Sequence, residues 1–310
     1  MGDRSPSSAP SLLVVGATGL VGREVVAAVC ARGHRPRVLL RSPDRASALP
    51  PGADVEVVVG DLDDRSSLAA ALEGVDAAFL TTPHDEREDE LGLAFLAACE
   101  HAEVSRLVLS TAIHPDSSNR RVRDAIFWVM GRIGPHYAAK YRVEAAVRDS
   151  HLDTVVLQPT NFYQNDLLWR TELLAGSYPQ PLGAKGANRV DCRDIGEAAA
   201  RGLLGELAGG AYPLVGPAKQ LSGPQSAAVW AKVLGREVAY AGDDLDVWEQ
   251  AVGERMAPRM RADFRATYGL IQRFGLSASA RQLDATRTAL GREPRDYEGF
   301  VRDTVEGWSS

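Results

Sequence analysis

Short apolar runs recur along the first half of the chain, and segments with apolar residues at helical spacing separate them. Runs of Val and Leu of this length are typical of strands buried on both faces, as in parallel sheets. We predict strands at residues 12–15, 37–40, 55–59, 77–80, 106–110 and 154–157. Helices are predicted between them at residues 22–32, 66–72, 88–101 and 135–150. This alternation predicts an α/β fold with a Rossmann-type, doubly wound parallel sheet.

The pattern loosens after about residue 165. We predict short strands at 188–194 and 212–215, and helices at 194–207, 222–234, 246–260, 260–273 and 296–305. This half has no internal repeat and no second glycine-rich turn. We therefore predict a Rossmann domain over residues 11–165 and a smaller C-terminal α/β lobe over 166–310, on the substrate side, interleaved with the first domain and not independent. Residues 1–10 are rich in Ser and Pro and are expected to be a disordered tail.

A glycine-rich turn, with the sequence G-A-T-G-L-V-G, joins the first predicted strand to the first predicted helix. Gly16 permits the tight turn, Gly19 leaves room for a pyrophosphate, and Gly22 lets the helix lie close to the strand. The helix N-terminus offers backbone N–H groups and a positive dipole end to phosphate oxygens. The turn therefore predicts dinucleotide binding by Gly16, Thr18, Gly19, Leu20, Val21 and Gly22.

The end of the second predicted strand indicates which dinucleotide binds. An NAD site usually has Asp or Glu there, which holds the ribose 2′-hydroxyl. This chain has Arg41, with Arg45 four residues later, and two guanidinium groups suit a 2′-phosphate. The alternative is a solvated basic loop in which Asp44 pairs with the arginines. We predict NADP(H) as the cofactor.

In open α/β sheets ligands bind beyond the carboxyl ends of the strands. Asp61 and Leu62 follow the third predicted strand and are candidates for an adenine contact, although Asp61 could instead cap the next segment. The other cofactor candidates at strand ends are Thr81, Thr82, Pro159, Asn161 and Phe162, together with Lys140 on the helix before strand six.

Composition narrows the class of protein. Apolar residues make up 45% and charged residues 25%, as in an ordinary globular enzyme. The net charge of −6 argues against a broad basic surface for nucleic acid. No apolar run approaches the roughly 20 residues that span a bilayer. We therefore expect neither a nucleic-acid nor a membrane partner, and a cytoplasmic location.

Cysteine and histidine positions indicate neither a disulfide framework nor a metal site. Cys30, Cys99 and Cys192 are widely separated, which suits a reducing compartment. The histidines that we expect in loops or at the surface, without partners at metal-ligand spacing, are His84, His101, His114 and His151. We predict no metal.

Several motifs together carry a family resemblance from about residue 11 to 306. They are the glycine turn, the Arg41 strand end, G-D-L at 60–62, K-x-x-x-E at 140–144, Q-P-T-N-F-Y-Q-N at 158–165, D-C-R-D at 191–194 and L-G-R-E-P-R-D-Y at 290–297. The chain resembles the NmrA-like family of atypical short-chain dehydrogenase/reductases, which includes isoflavone-reductase-like enzymes and a type of NAD(P)H:quinone oxidoreductase. The resemblance implies a Rossmann-type fold with a small C-terminal lobe and an NADP(H) ligand. Members include reductases and regulators that bind the dinucleotide.

The usual catalytic tyrosine of short-chain reductases is out of register. Those enzymes use Tyr-x-x-x-Lys. In this chain the residue four positions before Lys140 is His136, and Tyr137 lies only three positions before it. Three interpretations stay open: Lys140 handles a proton, as proposed for isoflavone-reductase-like enzymes; His136 replaces the tyrosine as general acid; or Lys140 only holds the nicotinamide ribose and pairs with Glu144. Ser110, or its neighbour Thr111, is a candidate to polarise a carbonyl at the end of strand five.

Aromatic residues after strands five and six predict a substrate pocket. The extended segment 113–135 contains Phe127 and Trp128, and Trp169 follows strand six. Such residues suit a bulky apolar or aromatic molecule, or they pack an interface between lobes or between two subunits of a homodimer. The substrate candidates are Phe127, Trp128, Tyr137, Phe162 and Tyr163.

These observations predict an NADPH-dependent reductase of a carbonyl, enone or quinone group in a bulky apolar small molecule. Two alternatives stay open at this level. One is an NADP(H)-sensing regulatory protein with little turnover, which the missing tyrosine favours. The other is a non-redox isomerase or cyclase on the same fold.

Overall fold

The computed structural model describes residues 9–83, 85–115, 119–134 and 137–309. The chain divides into two compact units. The first contains the chain up to Thr111 with Ala139–Leu157 and Ile195–Ala211, and the second contains Ala112–Ala138, Gln158–Asp194 and the chain from Tyr212 onward. The units alternate along the chain, and the predicted division between residues 165 and 166 falls within the range Gln158–Asp194 of the second unit. Most of the predicted disordered tail, residues 1–8, lies outside the described residues.

The helices and strands follow one another as strand–helix repeats and then as short strands among helices. In the first half they are β1 (Leu12–Val15), α1 (Leu20–Cys30), β2 (Arg37–Leu40), β3 (Glu56–Val59), α2 (Arg65–Leu72), β4 (Ala77–Thr81), α3 (Glu88–His101), β5 (Arg106–Ser110), α4 (Arg120–Ile133), α5 (Ala138–Asp149) and β6 (Asp153–Pro159). In the second half they are β7 (Asn161–Phe162), α6 (Arg170–Leu174), β8 (Ser177–Tyr178), β9 (Arg189–Val190), α7 (Cys192–Leu203), β10 (Gly210–Leu214), α8 (Gly223–Leu234), β11 (Ala239–Tyr240), α9 (Leu245–Val252), α10 (Pro258–Phe274), α11 (Ala280–Leu290) and α12 (Tyr297–Ser309).

Seven strands form one sheet in the order β10-β6-β5-β4-β1-β2-β3. The ladders that join β3, β2, β1, β4, β5 and β6 are all parallel, and Leu13 of β1 lies between Arg37 of β2 and Ala78 of β4. The chain moves outward from β1 in both directions, so the order reverses between β1 and β4. The predicted Rossmann-type sheet is confirmed, and the carboxyl ends of β1 and β4 form the edge at which such sheets bind ligands.

Alternate residues of the strands pack against α2, α3 and α5 in an apolar core. Leu68 and Leu72 of α2, Phe95 of α3 and Val143 of α5 are buried there with Leu80 of β4. Burial of one such side chain contributes about 1.5–3 kcal/mol to the free energy of folding. This core fixes the two helices, α3 and α5, that carry the charged residues described below.

Helix α1 approaches the turn before it so closely that no side chain fits between them. A Cβ atom on Gly22 would lie 2.1 Å from the carbonyl oxygen of Gly16 and 2.9 Å from Cα of Ala17. Gly16 itself has φ +80°, a conformation that only glycine adopts without strain. Gly22 is therefore required by the close approach of α1, and Gly16 by its positive φ.

Three helices, α4, α6 and α11, lie where we predicted no helix. The segment 113–135 is not extended throughout, because Asn119 caps α4 by accepting hydrogen bonds from the N–H groups of Arg121 and Val122. Ser279 and Gln282 form a capping box at the start of α11, and Gly291 ends it in the left-handed conformation. The S-x-x-Q spacing and this glycine were readable signals of α11.

The predicted helix 246–260 is broken into two pieces. Helix α9 ends at Val252 because Gly253 has φ +48°, and α10 starts at Pro258. Proline suits the first helical position, since that position needs no N–H donor. By contrast, α8 lies at the predicted position: Ser222 and Gln225 form a capping box at its start, and Gly235 ends the helix.

The second unit is built around a fully buried ion pair. A guanidinium nitrogen of Arg189 lies 2.7 Å from Asp166 Oδ1, and neither side chain is exposed. Trp230 Nε1 donates to Asp166 Oδ2 at 3.0 Å, and the hydroxyls of Tyr178 and Tyr297 also donate to this carboxylate. Burial raises the pKa of Tyr297 well above its usual value, and the charge of Asp166 adds to the rise, so this hydroxyl stays a donor.

Replacing Gly22 with Ala is expected to lower the free energy of unfolding by about 1–3 kcal/mol, because its Cβ would overlap backbone atoms that cannot move aside. Gly307→Ala is the matched control: a Cβ there meets nothing within 4 Å, and alanine favours a helix. Thermal unfolding followed by circular dichroism compares the two. Equal stability of the two variants would contradict the close approach.

Replacing Asp166 with Asn is expected to cost about 3–5 kcal/mol of stability, since Arg189 would remain buried without its counter-charge. Asp246→Asn removes a carboxylate from an exposed pair with Arg265 and should hardly move the unfolding midpoint. Urea unfolding of both variants measures the difference. Similar midpoints for the two would show that the buried pair is not required.

Candidate cofactor-binding and active site

The glycine turn leaves the N-terminus of α1 free of side-chain caps. Gly19 is the N-cap residue, and the first turn contains no acidic residue. Among the described residues, no side chain caps this turn. The turn is closed by a hydrogen bond from the Gly19 N–H to the Gly16 carbonyl, 2.9 Å long. A Cβ on Gly16 would lie 2.6 Å from Cγ2 of Thr81, so β4 packs directly against this turn. Backbone N–H groups in this arrangement can hold a phosphate.

The other residues of the turn differ in exposure. Val21 is buried, Thr18 is half-buried and Leu20 is exposed. An apolar side chain exposed beside uncapped N–H groups is available for contact with a ligand. Val21 therefore anchors the turn in the core, whereas Leu20 lies on its exposed outer surface.

Arg41 and Arg45 lie at the surface beyond β2, and Asp44 between them is exposed as well. Among the described residues, neither guanidinium forms a hydrogen bond or an ion pair. The expected alternative, in which Asp44 neutralises the arginines, is therefore not observed in this part of the chain. Two unpaired guanidinium groups at this strand end can bind a phosphate.

Asp61 forms a local turn rather than a helix cap. Its Oδ1 accepts from the Asp63 N–H at 3.2 Å, while Asp64 caps α2 through the Ser66 N–H at 2.9 Å. The alternative in which Asp61 caps the following segment is therefore wrong. Leu62 is half-buried and packs against the core of the first unit.

A buried charged cluster lies at the carboxyl end of β4. The Lys140 ammonium on α5 forms an ion pair with Glu88, the first residue of α3, and donates a hydrogen bond to Thr82 Oγ1 at 3.1 Å. The Thr82 hydroxyl donates to the same oxygen of Glu88. The predicted Lys140–Glu144 pairing is wrong, since buried Glu144 accepts from Arg148 at 3.3 Å and Lys140 reaches Glu88 instead.

The hydroxyl candidates at the end of β5 are both buried. Ser110 is the last residue of β5, and the Thr111 N–H continues the ladder by donating to the Leu157 carbonyl at 2.9 Å. Among the described residues Thr111 Oγ1 has no hydrogen-bond partner. A buried hydroxyl without a protein acceptor is suited to donate to a ligand.

His136 lies outside the described residues, so the second catalytic interpretation is not addressed by the structure. Tyr137 belongs to the second unit, and its hydroxyl lies 3.1 Å from Thr267 Oγ1. Burial raises the pKa of Tyr137, which makes the phenol a weaker acid.

His114 is in a loop, as expected, but is not at the surface. Its Nδ1 lies 2.6 Å from the Pro115 carbonyl oxygen and its Nε2 lies 2.9 Å from Gln158 Nε2. Its ring also meets Phe127 edge-to-face, with 4.8 Å between centroids. The burial follows from the missed helix α4, which carries Phe127. Of the other histidines, His101 and His151 are exposed, and His84 lies outside the described residues.

The remaining substrate and strand-six candidates divide between surface and core. Trp128 is 64% exposed, with the Arg132 guanidinium 4.7 Å from its ring centre. Tyr163 is 1% exposed and packs against Tyr297 in the core of the second unit, which is the packing alternative. Phe162 is half-buried.

Two strand-six candidates for the cofactor are engaged within the second unit. The Pro159 carbonyl accepts from the Ile113 N–H at 3.0 Å. Asn161 Oδ1 accepts from Arg189 Nε at 3.2 Å, so its carbonyl oxygen serves the buried ion pair. The amide nitrogen of Asn161 is the group left for a ligand.

Within the described ranges, no group of three or more His, Cys, Asp or Glu residues is placed to hold a metal ion. No helix in the described part of the chain is both long and apolar enough to cross a membrane.

Comparisons with known proteins agree with this geometry. A family model described as NAD(P)H-binding matches residues 16–198. The (4-alkanoyl-5-oxo-2,5-dihydrofuran-3-yl)methyl phosphate reductase of Streptomyces griseus is 30% identical and covers 96% of this chain and 99% of its own. The NAD(P)H azoreductase of Xenophilus azovorans is also 30% identical, over 94% and 96% of the two chains.

Two solved structures share the fold. The NADPH-dependent quinone oxidoreductase QOR2 of Escherichia coli, in complex with NADPH, matches with a TM-score of 0.76 at 19% identity, over 96% of this chain and all of that one. The negative transcriptional regulator NmrA, in complex with NADP, matches with a TM-score of 0.74 at 20% identity over 97% of both chains.

The sheet, the glycine turn and the similarity to full-length reductases define the class as an NAD(P)H-dependent oxidoreductase. The chain belongs to the NAD(P)H-binding family. The fold implied by its resemblance to the NmrA-like atypical short-chain dehydrogenase/reductases is confirmed by the match to NmrA.

Replacing Arg41 with Ala is expected to weaken NADPH binding by about 10-fold or more and NADH binding much less, because a charged hydrogen bond to the 2′-phosphate is lost. Arg35→Ala, which removes an exposed partner of Asp54, is the control and should leave both affinities unchanged. Fluorescence titration of each reduced cofactor gives the dissociation constants. An equal loss for both cofactors in Arg41→Ala would rule out a 2′-phosphate contact.

Proposed function

We propose that this protein is an NADPH-dependent reductase that acts on a carbonyl, enone or quinone group of a bulky apolar or aromatic small molecule. The observation that carries the proposal is the Lys140–Glu88–Thr82 cluster. The Lys140 ammonium contacts Thr82, and Thr82 directly follows Thr81, the residue that packs against the uncapped glycine turn. A dinucleotide on that turn and a reacting group near Lys140 would share the carboxyl edge of one sheet.

The proposed phosphate contacts in the first unit are groups that have no partner among the described residues. The N–H groups at the start of α1 would bind the pyrophosphate, and Arg41 with Arg45 would bind the 2′-phosphate. Asp61 and Leu62 would contact the adenine. The other proposed contacts in the first unit are Thr18, Val21, Thr81 and Thr82, with Thr82 acting through its backbone because its hydroxyl is bound to Glu88. For the second unit, Pro159, Asn161 and Phe162 stay predictions.

The proposed chemistry needs negative charge on the acceptor to be stabilised. NADPH supplies the hydride when it is bound. The Lys140 ammonium would stabilise the oxyanion or enolate that forms, and the Thr111 or Ser110 hydroxyl would donate a hydrogen bond to the acceptor oxygen. His136 remains the alternative proton donor, and no tyrosine is required.

The acceptor class is supported by the relatives. Their names specify a 5-oxo-2,5-dihydrofuran, an azo compound and a quinone. All three contain a polarised or conjugated unsaturated group that can accept a hydride. We infer the same type of acceptor here, and we place Phe127, Trp128, Tyr137 and Phe162 as candidates to contact it.

A second candidate function is an NADP(H)-sensing regulatory protein. The absence of a tyrosine four residues before Lys140 and the structural similarity to NmrA support it. The expected cytoplasmic location and the homodimer remain predictions.

Oxidation of NADPH, followed by the absorbance of the reduced nicotinamide, tests the proposal with a panel of quinones, enones and aromatic ketones. Lys140→Met is expected to lower kcat by about 100-fold or more, the usual loss when a group that stabilises an oxyanion is removed. Lys232→Met removes an exposed partner of Glu298 and is the matched control, expected to keep full activity. Tight NADPH binding without turnover across the panel would favour the sensor.

A further inference from the structure

Glu88 is a buried carboxylate with a single charged partner among the described residues. Its side chain is 2% exposed, and one of its oxygens accepts hydrogen bonds from both Lys140 Nζ and the Thr82 hydroxyl. The residue opens α3, whose first turn also contains Asp89 and Glu90. The positive end of the helix dipole stabilises a carboxylate at this position. Glu88 therefore lies where a helix N-terminus and the Lys140 ammonium both favour negative charge.

This arrangement restricts what Lys140 can do during a reaction. If Lys140 gave its proton to a substrate, Glu88 would be left as an unpaired buried charge. Breaking a buried ion pair from one side is strongly unfavourable, because the remaining charge keeps its desolvation penalty. This unfavourable free energy would arise in every turnover. Lys140 is thus poorly placed as a proton donor and well placed as a fixed cation.

The ammonium still has one donor to offer. It carries three N–H bonds, of which one points to Glu88 and one to Thr82 Oγ1. Within the described part of the chain the third has no acceptor, and the Lys140 side chain is 13% exposed. A ligand that reaches this opening would meet a positioned N–H group.

Helix docking alone does not require the buried pair. Asp89 on α3 and Arg142 on α5 join the same two helices through an exposed ion pair, 2.7 Å long. Buried ion pairs can often be replaced by apolar residues without loss of stability. A charged pair at this place is therefore better explained by a role at the site than by packing.

We propose that Glu88 is a positioning residue that keeps Lys140 as a permanent cation, so that Lys140 stabilises developing negative charge through its remaining N–H and does not supply the proton. This inference rests on the proposed reductase function. NADPH, when bound, would supply the hydride that forms the new bond to the acceptor carbon. The displaced electron pair would move to the acceptor oxygen, where the Lys140 ammonium would stabilise the negative charge, and water would supply the proton that completes the reduction.

The test compares Lys140→Arg with Lys140→Met, each in the wild-type and the Glu88→Gln background. Arginine keeps its charge at all working pH values and cannot act as an acid. We expect Lys140→Arg to retain kcat within about 10-fold of wild type and Lys140→Met to lose about 100-fold or more. Because arginine stays charged without Glu88, it should keep its advantage over methionine when Glu88→Gln is present.

Glu88→Gln alone gives an independent measurement that does not require arginine to fit. We expect kcat to fall by about 10-fold or more, because the substitution removes the negative charge beside Lys140. KM for the acceptor should stay within about threefold, because the contacts of the acceptor are left in place. Asp89→Asn makes the same chemical change one residue away and should leave both constants unchanged. Wild-type kcat in Glu88→Gln, with arginine no better than methionine at 140, would overturn the proposal.

The same variants separate failure of this inference from failure of the proposed function. If the wild type binds NADPH but oxidises none with any acceptor, the reductase function fails. The dissociation constants for NADPH then decide the role of the cation: we expect Lys140→Arg to stay within about threefold of wild type and Lys140→Met to weaken binding by about 10-fold. Equal affinities for Arg and Met at this position would overturn the fixed-cation role.

Discussion

The approach of α1 to the turn after β1 is the constraint on which the site depends. Gly22 lies so close to the Gly16 carbonyl that any side chain would overlap backbone, and Gly16 in turn lies against Thr81. These contacts bring the N-terminus of α1 to the carboxyl end of β4. The next residue of that strand end, Thr82, joins Glu88 and Lys140. One packing requirement thus links the proposed phosphate site to the charged cluster.

The Asp166–Arg189 and Lys140–Glu88 ion pairs have different relations to function. Asp166 and Arg189 are surrounded by further donors and acceptors of the second unit. Both charged groups are therefore hydrogen-bonded to the protein itself. Lys140 and Glu88 form a smaller cluster in which one N–H of the ammonium stays without an acceptor among the described residues. The first pair therefore stabilises a core, whereas the second retains capacity to bind a ligand.

Local pattern was sufficient to predict most of the first unit. The strands at Leu12–Val15, Arg37–Leu40 and Arg106–Ser110 and the helix Glu88–His101 have the predicted bounds, since apolar runs and helical periodicity determine them. The helix α4 was missed because its first turn carries arginines and its start depends on the Asn119 cap. Glu88 could not be chosen from sequence as the partner of Lys140, because the two are 52 residues apart and Glu144 has the familiar i+4 spacing.

In the proposed function, hydride passes from NADPH to an unsaturated acceptor bound to this protein. Incubation with NADPH that is deuterated at the transferable C4 position, together with a conjugated enone, tests it directly. Mass spectrometry of the reduced product should show one deuterium bound to carbon. A reduced product without the label, or no product while NADPH remains bound, would contradict the account.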